Sequence, residues 1–221
     1  MPVKNYKEVF LTHLVKTGAI RFGSFKLKSG RISPYFVNIA DAMRTGMDAL
    51  KVADAYVVKI MELDTEFSYI HGAAYKGIPL AALVAVRLSE RGIDKRWGYD
   101  RKEEKRHGDK GAIVGDLRDG DTVLIVDDVI TTGATKVESW TKLATMRKVK
   151  PAGILVAVDR EELSDADKKM LEEVPLRMYS ILRITEIFEF LHNRTIEGEV
   201  YVDDKMKHNF EEYFQRYGTL C

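Results

Sequence analysis

Residues 122–135, TVLIVDDVITTGAT, constrain the fold more than any other stretch of the chain. The apolar run at 123–126 is short and bounded by turn residues. That suits a strand buried on both faces of a parallel sheet. Two carboxylates, Asp127 and Asp128, follow at once, and a Thr- and Gly-rich turn over 130–135 leads into a helix. In open α/β sheets, ligands bind just beyond the carboxyl ends of the strands. Acid, hydroxyl and backbone N–H groups are therefore expected at one ligand-facing spot.

The rest of the chain repeats strand, turn and helix. A helix is expected over 6–17, with Tyr6, Val9, Phe10 and Leu14 on one face, and a second over 47–63, with a stripe of Leu50, Ala53, Val57, Ile60 and Met61. Strands are expected at 20–27, 35–39, 67–70, 96–99, 153–158 and 176–182. Further helices are expected at 79–91, 136–149, 167–174, 185–191 and 209–217. Such alternation favours a mostly parallel sheet flanked by helices, an α/β fold. Residues 1–221 read as a single domain, with about 1–45 forming a small N-terminal hood over the sheet. Residues 100–111, DRKEEKRHGDKG, have almost no apolar content and read as a long, flexible functional loop.

Composition removes several function classes. Charged residues are 31% of the 221 but nearly cancel, to a formal +1, which argues against general nucleic-acid binding. The single cysteine, Cys221, has no partner for an internal disulfide, and no Cys/His cluster has zinc spacing. The longest apolar run, 78–86, is too short to span a bilayer, and the first residues lack the apolar block of a signal peptide. A soluble protein of the reducing cytoplasm is expected, without nucleic-acid or membrane partners.

Backbone N–H groups and Thr hydroxyls at a helix N-terminus bind phosphate. Asp127 and Asp128 would repel that phosphate, and instead match sugar hydroxyls or a magnesium ion beside it. A phosphorylated ribose carries both features. The stretch fits neither GxxxxGK[ST] nor GxGxxG, which disfavours kinase-like and dinucleotide readings. Four other places hold candidate chemistry: the basic turn with Lys28 and Arg31, the small-residue loop AYKGIP at 74–79, the cations Arg101, Lys102, Lys105 and His107 of the long loop, and Arg160 at a strand's end. Each also has a plain reading, as a solvated turn, a helix start, a charged surface and a salt-bridged strand terminus.

VLIVDDVITTGAT resembles the phosphoribosyl-pyrophosphate motif of type I phosphoribosyltransferases. FKLKSGRISPYFVN at 25–38, AYKGIP, DRKEEKRHG and Arg160 are similar to the motifs of orotate phosphoribosyltransferases, in the same order. The resemblance runs from about 25 to 161 and implies the type I phosphoribosyltransferase fold. It implies transfer of a phosphoribosyl group from 5-phosphoribosyl 1-diphosphate to orotate in pyrimidine synthesis. Magnesium is the implied cofactor, held mainly by the donor, near Asp127 and Asp128. Lys28, Lys102, Lys105, His107 and Asp128 are implied to be catalytic. The donor is implied to contact Lys28, Tyr75, Lys76, Arg101, Lys102, Lys105, His107, Asp127, Asp128, Val129, Ile130, Thr131, Thr132, Gly133, Ala134 and Thr135. Orotate is implied to contact Phe36, Val37, Thr131 and Arg160, although Val37 departs from the aromatic pair common there. Lys102 is implied to act in the neighbouring subunit's site, which requires a homodimer with shared active sites.

Overall fold

The structure is a computed structural model that describes residues 3–27, 29–63, 65–101, 112–130, 134–174 and 176–219. In chain order it comprises α1 (Val3–Lys16), β1 (Ile20–Lys26), β2 (Ile32–Val37), a 3-10 turn (Ile39–Ala42), α2 (Gly46–Glu62), β3 (Tyr69–Gly72), α3 (Gly77–Ser89), β4 (Arg96–Asp100), β5 (Ile113–Gly115), β6 (Thr122–Ile130), α4 (Ala134–Met146), β7 (Lys150–Asp159), α5 (Asp165–Glu172), β8 (Met178–Arg183), α6 (Ile184–Leu191), β9 (Thr195–Ile196), β10 (Glu199–Val200) and α7 (Asp204–Tyr217).

Six strands form the central sheet, in the order β5-β4-β3-β6-β7-β8. All neighbours pair parallel except β4 and β5. The chain steps from β3 outward to β4, and from β6 outward the other way to β7. The strand order therefore reverses between β3 and β6, where a doubly wound sheet opens a ligand crevice.

Side chains alternate across the buried strands. Leu124 and Val126 of β6, with Leu155 and Ala157 of β7, face one core, which includes Leu80 and Val84 of α3. Val123 and Ile125, with Ile154 and Val156, face a second core closed by Trp140 and Leu143 of α4. Each fully buried Val, Leu or Ile among them contributes roughly 1.5–3 kcal/mol of apolar burial. Two helix faces differ from the sequence reading. In α1 the buried residues include Tyr6, Phe10, Leu11, Leu14 and Val15, while Val9 is 46% exposed. In α2 the buried stripe is Ala49, Val52, Ala53, Tyr56, Val57 and Ile60, while Met61 is 61% exposed. At about 100° per residue, Val9 and Met61 fall at the margin of the stripe, where residue type alone does not decide burial.

β1 and β2 form an antiparallel hairpin, with a bulge between Phe22 and Phe25. The hairpin packs on the C-terminal helices. Phe22 and Tyr35 meet the Phe188 ring of α6 edge-on, at 5.3 and 5.8 Å, and Phe188 stacks on Phe210 of α7 at 3.8 Å. Helix α1 shares the larger core with α2 and β1, so the N-terminal region is integrated with the sheet's own packing.

Candidate active site

The central strand is longer than its sequence suggests. β6 continues through both aspartates to Ile130, whereas β3 ends at Gly72, opposite Val126. Beyond Val126, β6 pairs with β7 alone, at Asp127, Val129 and Ile130. Its other edge is left to the loop that follows β3, and the Ala73 N–H donates to Val126 O at 3.3 Å. Two glycines permit this approach. A Cβ on Gly72 would sit 2.4 Å from Gly77 O, and one on Gly77 would sit 2.5 Å from Val126 O. Both contacts are to backbone, so nothing larger fits. The loop thus lies flat against β6 and carries Tyr75 and Lys76 to the strand ends. The Ala74–Tyr75 peptide is cis.

Because adjacent strand residues point to opposite faces, the two acids separate. Asp128 turns toward the loop before α3 and accepts from Lys76 Nζ at 2.7 Å. Asp127 turns toward α4, where Lys136 Nζ donates to its Oδ2. Its Oδ1 accepts the Asp128 N–H at 2.9 Å. Tyr56 of α2 braces the strand from below, donating to Asp127 O at 2.7 Å. Burial pushes the Asp127 carboxyl above its ordinary value, Lys136 opposes that shift, and Asp128 adds to it.

Lys136 escaped the sequence reading and is only 3% exposed. A signal was present: a lysine in a helix's first turn opposes the helix dipole and needs a reason to be there. The nearby acid is that reason. One turn further on, Ser139 donates to Asp100 Oδ2, and His71 Nε2 bonds Asp100 Oδ1 at 3.0 Å. Asp100 is the last residue of β4, so this buried cluster ties the base of the cationic loop to α4. The two sides of that base are also paired, with Arg101 N–H donating to Ala112 O at 2.7 Å and β5 returning antiparallel to β4.

Arg160 follows β7 and is 4% exposed. Its Nη2 donates to Glu162 Oε1 at 3.0 Å, and its guanidinium lies 4.7 Å over the Tyr35 ring. The turn between them is left-handed at Glu161, φ +53°. That conformation is held by Glu161 N–H to Asp159 Oδ1 at 2.8 Å, and by Thr185 N–H and Oγ1 to the Glu161 carboxylate at 3.0 and 2.6 Å. On the hairpin, Phe36 is half-buried and Val37 buried, and Arg21 sits 5.0 Å over the Phe36 ring.

The fold brings Tyr75, Lys76, Asp127, Asp128, Val129 and Ile130 together at the β3/β6 crevice, with Ala134 and Thr135 opening α4 just beyond. Arg101 lies at the end of the next strand out. Arg160, at the end of β7, meets the hairpin through Tyr35, the residue before Phe36 and Val37. Lys28, Lys102, Lys105, His107, Thr131, Thr132 and Gly133 lie outside the described residues. A cavity of about 320 Å3 adjoins the crevice, lined by Ile39, Met43, Tyr75, Lys76, Pro79 and Asp128. A larger groove, about 460 Å3, lies between α1 and the β9–β10 hairpin and shares none of these residues.

Residues 41–181 match the model of the phosphoribosyl transferase domain. The chain is 38% identical over 224 residues to an orotate phosphoribosyltransferase from Clostridium acetobutylicum, covering 98% of this chain and 100% of that one. It is 40% identical over 191 residues to one from Pseudomonas putida, covering 84% and 88%. The crystal structure of orotate phosphoribosyltransferase from Francisella tularensis superposes with a TM-score of 0.79 at 33% identity, covering 95% of this chain and 96% of that one.

Proposed function

The chain belongs to the orotate phosphoribosyltransferase family, and from that premise we propose how its residues divide the work of the reaction. The enzyme transfers the phosphoribosyl group of 5-phosphoribosyl 1-diphosphate to orotate. The products are orotidine 5′-monophosphate and diphosphate. The observation that carries the assignment of roles is the open edge of β6 beyond Val126. It places a carboxylate, a lysine and the start of a helix around one crevice at the point where the strand order reverses.

Breaking the bond between C1′ and diphosphate leaves positive character on the ribose and negative character on the leaving group. Lys76 is half-exposed and free to turn from Asp128 toward that diphosphate. Asp128 then faces the ribose, where its carboxylate accepts the hydroxyls and favours an oxocarbenium-like ring. The N-terminus of α4 and the turn before it receive the 5′-phosphate. Arg101, Lys102, Lys105 and His107 add positive charge at the diphosphate end, with Lys102 supplied by the partner subunit of a homodimer. Arg160 receives the acceptor's carboxylate, since a guanidinium grips a planar carboxylate with two parallel hydrogen bonds. Phe36 and Val37 orient the ring so that its nitrogen attacks C1′ directly.

Asp127 and Asp128 each bond a lysine in this structure. In this reading a magnesium ion accompanying the donor would be held mainly by the donor, with Asp127 and Asp128 nearby.

Arg160→Ala tests the acceptor assignment. Orotate binding is expected to weaken by roughly two orders of magnitude while donor binding changes little, because the lost partner is the carboxylate. Equal losses for both ligands, measured by titration calorimetry, would sink it.

A further inference from the structure

We propose that Glu162 is a positioning residue that sets Arg160 for the acceptor's carboxylate, and that α7 is the part of the chain that holds Glu162's other partners in place. This rests on the reading of Arg160 as the carboxylate-binding residue. Glu162 is only 7% exposed, and three groups converge on it. Arg160 Nη2 and the Tyr35 hydroxyl both donate to its Oε1. Arg31 Nη1 stands 4.0 Å from its Oε2. Two guanidinium cations thus share one carboxylate, and the cluster retains room for one further negative charge. Among the described residues no acceptor meets the buried Arg160 Nε, and beside an η nitrogen it forms the fork that grips a carboxylate. A buried donor left unpaired carries a cost that a ligand oxygen removes. The cluster is therefore suited to be completed by an anion.

Helix α7 explains why the arrangement stays in place. Tyr213 packs edge-on against the Tyr35 ring at 6.2 Å, and Arg31 lies 4.6 Å over the Tyr217 ring. Just beyond the helix, Thr219 N–H and Oγ1 donate to Glu161 O at 2.7 and 3.0 Å, which fixes the turn between Arg160 and Glu162. Both neighbours that share Glu162 with Arg160 are thus backed by the C-terminal segment, more than forty residues after the last motif of the sequence. Glu162 engages Nη2 of Arg160 and leaves Nε without an acceptor among the described residues.

The test is steady-state kinetics of Glu162→Gln, which keeps the shape and an acceptor oxygen but removes the charge. The KM for orotate is expected to rise about ten-fold, the scale of one charge-assisted hydrogen bond, with the KM for the donor within about two-fold. The preference for orotate over uracil, which lacks the carboxylate, should narrow by a similar factor. A merely structural role would move both KM values together or lower only the yield of folded protein, and would leave that preference intact. Either result overturns the proposal. Should Glu162→Gln not fold, Tyr35→Phe removes only the hydroxyl that Glu162 accepts. It should raise the KM for orotate selectively by about three-fold, and an unchanged KM would overturn the proposal. If the wild-type protein discriminates orotate from uracil but Glu162→Gln does so equally well, the positioning role fails while the reading of Arg160 stands. If the wild-type protein does not discriminate, the reading of Arg160 itself fails, and the proposal with it.

Discussion

Replacing Lys136 by methionine keeps most of the side chain's length and removes its charge. Lys136 is 3% and Asp127 7% exposed, and the ammonium donates directly to the carboxylate. After the substitution Asp127 keeps only the Asp128 N–H as a hydrogen-bond donor among its described contacts. Breaking a buried ion pair by removing one partner costs about 3–5 kcal/mol, because the remaining charge stays desolvated. For a chain of this size each kcal/mol lowers the melting temperature by roughly 2–4 °C, so the expected fall is roughly 6–20 °C. The loss should depend on pH in a set direction. Burial already holds the Asp127 carboxyl above its ordinary value, and Lys136 opposes that shift, so removing the lysine raises it further. A carboxyl whose folded pKa lies above its unfolded value binds its proton more tightly when folded. The resulting penalty is absent below about pH 4, the ordinary aspartate value, and grows as pH rises toward the folded pKa. Urea unfolding followed by tryptophan fluorescence, at a series of pH values from 4 to 7.5, measures both features. Lys136→Met should be strongly destabilised at neutral pH and close to wild type near pH 4, and adding Asp127→Asn should restore part of the stability at neutral pH. A loss under about 1 kcal/mol that does not vary with pH would refute the reasoning.

Two further experiments probe the crevice and the proposed sharing of sites between subunits. Gly77→Ala forces a Cβ to within 2.5 Å of Val126 O, so the loop carrying Tyr75 and Lys76 must lift from β6. The expected result is a stability loss of about 1–3 kcal/mol in thermal melts and a raised KM for the donor. Lys102→Ala should abolish turnover, and re-associating it with an equal amount of Asp128→Asn, with formation of mixed dimers verified, should restore about a quarter of wild-type activity. Half of the dimers are then mixed, and each carries one intact site. No recovery would count against a Lys102 supplied in trans.

The sheet was legible because its strands are apolar on both faces and its helices follow at regular spacing. Residues 122–135 pointed to a ligand-facing spot through two acids and a hydroxyl-rich turn after an uncharged strand, and the two acids lie where the strand order reverses. Three features were not legible. Asp127 and Asp128 look like one acidic patch in sequence, but strand alternation sends them to opposite faces, each toward a lysine. β5 is three residues long after a polar loop, too short for a periodicity signal, and its pairing comes from register with β4. The C-terminal helix carries no motif, since its part is played by aromatic packing against the hairpin and by Thr219 binding the Glu161 carbonyl, contacts set by tertiary structure alone. Val9 and Met61 teach a smaller lesson, that an apolar residue at the edge of a helical stripe can lie on either side of the boundary.

The most direct test of the central claim compares orotate with uracil as acceptors, with 5-phosphoribosyl 1-diphosphate and magnesium present, following loss of the base and release of diphosphate. The two bases differ by the carboxylate that Arg160 is proposed to receive. Rapid turnover of orotate, with uracil slower by roughly two orders of magnitude or more, is the predicted result. Comparable turnover of uracil, or release of diphosphate that does not depend on orotate, would contradict it.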